Sequence, residues 1–390
     1  MFKMPRQRGV QFLLVAILAL LATGCAARGG TANAGWTVLT AENDRVYAVL
    51  ASGEAVALDA AQGGGLLWRY PLAGATSSVG CGLPKASDAD AERETPLGAV
   101  YGQPVIAGDV VLVGSFDGVL YALDRESGGV AWSYPVGEAI VGGVTVYDGV
   151  AYFGATDHQV YALDLESLRP VWDAPFGTSE RIWGRPAVDQ ERVYIGSMDH
   201  SVYAIDRQTR EQVWSSSVGA AIPGDVTVAN GLVLAGGVDS RLHVLDAETG
   251  AILWQTERLD GWIWGQPLVI EDSVYFTSLK GTLYGYSLSN RQPLWPAIAL
   301  EGSLRAGLTL YDGRAVVGTD DQRVYLVDLA AGQAELLYGG AASERRGPIL
   351  SAPVVVDDLI FVGSATGTIV ALEPERRNPE VWVYPSASDN

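Results

Sequence analysis

The chain has 390 residues, 48% of them hydrophobic, and a formal net charge of −19 at neutral pH. A surface this acidic repels nucleic acid and anionic headgroups, which excludes functions that rely on a basic patch. Two cysteines in the whole chain exclude a disulfide-stapled scaffold, so stability has to come from a large core.

The N-terminus reads as an export signal. Lys3, Arg6 and Arg8 form a basic head, and Phe12 to Ala22 form an apolar run without charge. That run is far shorter than the roughly 20 residues a membrane-spanning helix needs. It ends in Ala22-Thr23-Gly24-Cys25, which resembles the bacterial lipobox, where the cysteine is acylated and the peptide is cut just before it. Residues 1–24 are then a signal peptide, and 25–35 hold the lipidated Cys25 and a short linker. Loss of the three basic residues takes the charge from −19 to −22. Membrane attachment is therefore expected through acyl chains, each buried methylene contributing about 0.8 kcal/mol. An Asp after the cysteine favours inner-membrane retention in Gram-negative bacteria, and Ala26 stands there instead. The expected location is extracytoplasmic, on the cell envelope, at the outer membrane where the host has one.

From residue 36 to 385 one phrase recurs eight times. Four clear copies run from Ala122-Leu123-Asp124 to Trp132, Ala162-Leu163-Asp164 to Trp172, Ala204-Ile205-Asp206 to Trp214, and Val244-Leu245-Asp246 to Trp254. Weaker ones run from Gly285 to Trp295 and Leu326 to Leu336, and end copies from Asp59 to Trp68 and Glu373 to Trp382. Between Asp124 and Asp328 the key positions lie 40 to 42 residues apart, one four-stranded propeller blade. Within the second unit, Pro104 to Ala107, Val110 to Phe116, Val119 to Leu123 and Val130 to Tyr134 read as strands. Asp117-Gly118, Asp157-His158, Asp199-His200, Asp239-Ser240 and Lys280-Gly281 read as two-residue hairpin tips. No amphipathic helix follows residue 35. The expected fold is all-β, an eight-bladed propeller of four-stranded antiparallel blades.

In each copy the Asp opens a turn by accepting backbone N–H groups two or three residues on. The indole eight residues later, on the outer strand, wedges between blades, since one blade cannot cover both its faces. Trp68, Trp132, Trp172, Trp214, Trp254, Trp295 and Trp382 take this role. Each burial is worth about 1.5–3 kcal/mol, and deletion costs about 3–5. The phrase resembles the tryptophan-docking motif of quinoprotein-type propellers over all eight units. A slower period overlies it: Pro104, Pro186, Pro267 and Pro353 open alternate blades, and Thr145, Thr227 and Thr309 hold the matching place between. Two insertions, 73–97 with Cys81 and four acids, and a shorter one before Leu350, precede Pro-type blades and should emerge on one face. Residues 386–390 form a tail.

The quinoprotein resemblance brings an enzyme reading with it. Dehydrogenases of that family hold pyrroloquinoline quinone over calcium, with a catalytic Asp and often a cysteine pair. This chain has no Cys-Cys step, and its recurring acids are turn acids by position. Calcium needs six to eight oxygens in one cluster, so neither calcium nor quinone is expected, nor any catalytic residue. His158 and His200 occupy equivalent tips of adjacent units, too far apart for one ion, and His243 replaces Tyr121, Tyr161 and Tyr203 and should pack in the sheet. No metal site is expected.

Chemistry concentrates before alternate inner strands. Tyr101-Gly102-Gln103-Pro104, Trp183-Gly184-Arg185-Pro186 and Trp264-Gly265-Gln266-Pro267 share one position, with Trp262, Arg181 and Asp260 nearby. Convergent Trp, Tyr and Arg at the channel mouth form either a binding face or caps on the core. The candidates are Tyr101, Gln103, Arg181, Trp183, Arg185, Trp262, Trp264 and Gln266.

A lipobox, eight units and no quinone ligands most resemble the lipoprotein family of the outer-membrane β-barrel assembly machinery. That resemblance implies a non-catalytic scaffold with an envelope protein partner, held to the membrane by acyl chains and not binding nucleic acid. The alternatives are a propeller that binds an envelope polymer or small ligand, and a quinone-dependent dehydrogenase.

Overall fold

The computed structural model describes residues 35–71, 95–339 and 346–385, and every regular element in it is a β-strand. The signal peptide, Cys25, Cys81, most of insertion 73–97, the core of the insertion before Leu350, and the tail lie outside the described residues. The strands form eight antiparallel four-stranded sheets, each in plain sequence order. These blades, numbered 1 to 8, span residues 38–70, 105–135, 144–177, 187–217, 227–255, 268–299, 309–338 and 354–384. The expected eight-bladed propeller is the observed fold.

The second strand of each blade shows why blades must stack. Val110–Gly114, Val150–Gly154 and Leu359–Gly363 are buried along nearly their whole length. A continuous apolar run covered on both faces requires a sheet on either side. The core is accordingly built at the seams: Leu112, Leu120 and Ala122 of blade 2 pack with Val144, Ala151 and Phe153 of blade 3. The ring closes without strand exchange. Leu39, Val46 and Val56 of blade 1 form one cluster with Phe361, Ala371 and Trp382 of blade 8. The Ser351 hydroxyl donates to the Thr37 carbonyl across that seam at 2.7 Å.

The turn acids behave as expected. Asp124 accepts from the N–H of Glu126 and Ser127 at 3.2 and 2.8 Å, and Asp206 and Asp246 repeat the pattern. Such bonds favour the charged form: the Ser127 hydroxyl and N–H hold the Asp124 carboxyl below its ordinary range. The residue after the acid is the acceptor for the previous blade's indole. Trp68 donates to Arg125 O at 2.8 Å, Trp172 to Arg207 O at 2.9 Å, and Trp214 to Ala247 O at 3.0 Å. Trp295 donates to Leu329 O at 3.0 Å, and Trp382 closes the ring on Ala60 O at 3.3 Å.

Two expectations need correction. The tips between second and third strands have three residues. Gly118 N donates to Ser115 O and Ser115 N to Val119 O, a turn through Phe116 and Asp117 closed by Gly118 at φ 82°. Only the last tip residue is left-handed, which is why His158 (φ 73°), His200 (φ 74°) and Ser240 (φ 68°) are tolerated there. True two-residue tips join the first and second strands, as at Asp148-Gly149 and Asp312-Gly313, with both residues at positive φ. The second correction concerns Trp172 and Trp295, which lie outside regular strand. Outer strands in blades 3 and 6 shrink to Phe176–Gly177 and Ile298–Ala299. Pro170 and Pro293 make only isolated bridges there, since proline lacks the N–H a ladder needs.

The disc has two unlike faces. Each three-residue tip is pinned to the loop that enters its blade: Phe116 N to Ala99 O, Met198 N to Arg181 O, Leu279 N to Trp262 O. This is the loop face. On the other, the turn face, the Asp-led turns bond the two-residue tips, as Arg125 N to Asp109 O and Arg207 N to Glu191 O.

Candidate functional site

The eight candidate residues all lie on or under the loop face, where each inter-blade loop enters an innermost strand. Backbone approach fixes this rim. A Cβ on Gly184 would stand 2.1 Å from Gly224 O, and one on Gly224 would stand 1.9 Å from Trp264 O. Only glycine permits such contact, so the entries of blades 4, 5 and 6 pack backbone to backbone. The alternating Pro and Thr belong to the same rim: Thr145, Thr227 and Thr309 hydroxyls donate to the carbonyls of Pro186, Pro267 and Pro353, at 2.5 to 2.7 Å.

Rings from blades 4 and 6 meet across the entry of blade 5. Trp183 and Trp264 lie with centroids 6.0 Å apart, tilted by 33°, and both are half-buried. Beside them Arg185 donates from Nη2 to Gln266 Oε1 at 2.7 Å. Its Nε lies 3.4 Å from Asp225 Oδ2, while Asp225 Oδ1 accepts the Arg185 N–H at 2.7 Å. Burial pushes the Asp225 carboxyl upward, and the Arg185 charge opposes that. The result is a patch of two packed indoles beside a guanidinium held by an acid and an amide. Arg181, at the entry of blade 4, is exposed, and Trp262, at the entry of blade 6, is half-buried, while Asp260 accepts from the Thr282 hydroxyl at 2.5 Å.

Tyr101 and Gln103 belong elsewhere. Gln103 Nε2 donates to Ala352 O at 3.4 Å, repeating across blade 1 the blade-spanning link of Arg185 and Gln266. Tyr101 packs edge-on between Trp36 and Phe116, at 5.3 and 5.8 Å. The candidates therefore divide into one group on blades 4 to 6 and another on blades 1 and 2. Sequence reading missed Asp225, Trp36 and Phe116. Asp225 was visible as the acid at the place of Gly143 and Gly307 in the other Thr-type blades.

The docking tryptophans divide too. Trp132 and Trp254 are half-buried, and no acceptor among the described residues receives their indole N–H. Leu336, which replaces the indole of blade 7, stands exposed. His158 and His200 sit at separate tips, and no group of three or more His, Cys, Asp or Glu among the described residues could hold a metal. His243 is fully buried with Nε2 at 3.3 Å from Asp239. Its Nδ1 has no hydrogen-bond partner among the described residues.

Comparison with known proteins is consistent with this architecture. A computationally designed protein, Ika8, shares the fold with a TM-score of 0.69 at 18% identity, covering 87% of this chain and 96% of its own. BamB from Moraxella catarrhalis has a TM-score of 0.61 at 22% identity, covering 73% of this chain and 87% of its own. Among curated proteins, outer membrane protein assembly factor BamB of Shewanella oneidensis is 28% identical over 185 residues, 44% of this chain and 46% of that protein. The Yersinia pestis protein of the same name is 27% identical over 170 residues, 40% of this chain and 42% of its own. The matched segments thus span less than half of either relative's length. The family model described as outer membrane protein assembly factor BamB matches residues 85–198, 160–260 and 198–390. On those matches and its eight-bladed fold, the chain belongs to the family of the outer membrane protein assembly factor BamB.

Proposed function

We propose that the chain is a non-catalytic, lipid-anchored envelope scaffold that binds a protein partner in outer-membrane protein assembly. The observation that carries this reading is the family match spanning residues 85–390. The lipobox at Cys25 supports the anchor, through acyl chains added to its thiol. The patch on blades 4 to 6 supports the partner site. Tryptophan and arginine dominate protein interfaces because they bring large, rigid contact area and several donors. Arg185 is held in place by Gln266 and Asp225, and Trp183 and Trp264 pack on each other, before any partner arrives.

In this reading Trp264 and Trp183 supply the apolar contact, Arg185 the directional bonds, and exposed Arg181 steers approach. The test is photo-crosslinking in living cells, with a photoreactive residue replacing Arg181 on the loop face or Asp148 on the turn face. One discrete adduct with an envelope protein, from position 181 alone, is expected. Equal adducts from both positions, or none, would contradict the reading. Dye reduction by the purified chain after adding pyrroloquinoline quinone and calcium would overturn its non-catalytic part.

A further inference from the structure

The group on blades 1 and 2 has no part in the patch on blades 4 to 6, and in a ring of eight, blade 1 stands opposite blade 5. Its members are Trp36, Tyr101 and Phe116, joined edge to face at 5.3 and 5.8 Å. Phe116 is the exposed end, with 50% of its surface open at the tip of blade 2. An aromatic half in solvent at the apex of a tight turn gains nothing for the core. Tyr101, half-buried, backs it with its ring packed against both neighbours.

The described chain begins in this sector. Gly35 N donates to Ala51 O in the tip of blade 1, and Trp36 N to Val100 O. Gly35 lies ten residue steps after Cys25. Fully extended, these reach at most about 33–36 Å. An acyl chain on Cys25 would therefore hold blades 1 and 2, loop face first, within that distance of the bilayer.

Charge sets the same orientation. Around the axis the turn face carries acids at nearly every tip, among them Asp44, Asp109, Asp148, Glu271, Asp312 and Asp357. In the loop-face sector of blades 1 and 2 the acids are occupied. Asp117 accepts from Gly98 N, Val119 N and the Tyr121 hydroxyl, Glu54 from the Ser52 hydroxyl, and Glu138, at the edge, from the Thr156 hydroxyl.

We infer that the loop-face sector of blades 1 and 2, led by Phe116 over Tyr101 and Trp36, is a lipid-contact surface. Aromatic rings with one apolar and one polar end favour the bilayer interface. The disc then leans on the membrane by one edge, and the opposite patch at Trp183 and Trp264 is lifted clear for its partner. This inference rests on the lipid-anchor reading.

The test uses the acylated mature chain carrying Cys81→Ser, with single labelling sites Ser52→Cys, Val238→Cys or Asp148→Cys. Each fluorescent conjugate is inserted into phosphatidylcholine vesicles bearing a headgroup quencher. Quenching several-fold stronger at position 52 than at 238 or 148 is expected, and Phe116→Asp should abolish the difference without releasing the protein. Uniform quenching of a protein that co-floats with vesicles overturns the surface alone, as does the strongest quenching at 148. Failure to co-float overturns the anchor and this surface with it.

Discussion

The seams that carry a tryptophan are of two kinds, and their difference lies in one residue of the neighbouring blade. At the seam after blade 1, the Trp68 indole lies over Gly128, where a Cβ would stand 2.4 Å from the ring. The seam after blade 4 repeats this with Trp214 over Gly250. Both glycines have positive φ, and both indoles donate to a carbonyl. At the seams after blades 2 and 5 the position holds Leu168 (φ 56°) and Arg291 (φ 63°), and Trp132 and Trp254 are half-buried without an acceptor among the described residues. Arg210 (φ 64°) is the instructive intermediate. Its guanidinium swings out to Pro175 O at 3.1 Å, and Trp172 keeps its bond. What an indole needs is clearance over the turn, which glycine gives by default and a departing side chain can also give.

The largest effect should come from deleting a seated wedge. Trp214→Ala is expected to lose about 3–5 kcal/mol in guanidinium unfolding, whereas Trp132→Ala should lose visibly less. Equal losses would erase the distinction. Gly250→Ala drives a Cβ to 2.5 Å from the Trp214 ring, an overpacking that costs about 1–3 kcal/mol. Gly231→Ala is the control, with the same sign of φ (72°) and nothing within 4 Å. It should lose only the left-handed strain, about 1 kcal/mol. Leu168→Gly removes such strain and opens space beneath Trp132. A gain of about 0.5 kcal/mol is expected after the entropy of glycine is counted.

The smallest effect is a pH slope at the tip of blade 5. Tyr161 and Tyr203 donate to Asp157 and Asp199 at 2.5 and 2.7 Å, whereas His243 meets Asp239 at 3.3 Å. Burial pushes the His243 imidazole below its ordinary value, with Asp239 opposing and Arg241 reinforcing that shift. The unfolded chain therefore takes up this proton first, near pH 6.5, and stability falls as pH drops below that. His243→Tyr should flatten the slope, read as the difference in unfolding midpoint between pH 7.5 and 5.5.

Much of this was legible because propeller stability is written once per repeat. Asp124 through Trp132 carries a turn and a wedge in nine letters, and eight copies with blade-length spacing leave few other folds. The Pro and Thr alternation was visible too, although its cause, a hydroxyl reaching the next blade's proline carbonyl, is a contact between chain segments. What escaped depended on geometry across units. Trp183 and Trp264 shared a repeat position, but their meeting is a contact across the blade between them. The third tip residue escaped because only the last one turns left-handed, so histidine and serine masked the pattern. Pro170 and Pro293 were in plain view, and their exclusion from ladders should have shortened the outer strands in advance.

Hydrogen exchange at the indole N–H groups of the seven docking tryptophans reports the wedges one by one. The seams described above predict slow exchange for Trp68, Trp172, Trp214, Trp295 and Trp382, and solvent-like exchange for Trp132 and Trp254. Uniform rates across all seven, or fast exchange at Trp382 where the ring closes, would contradict them.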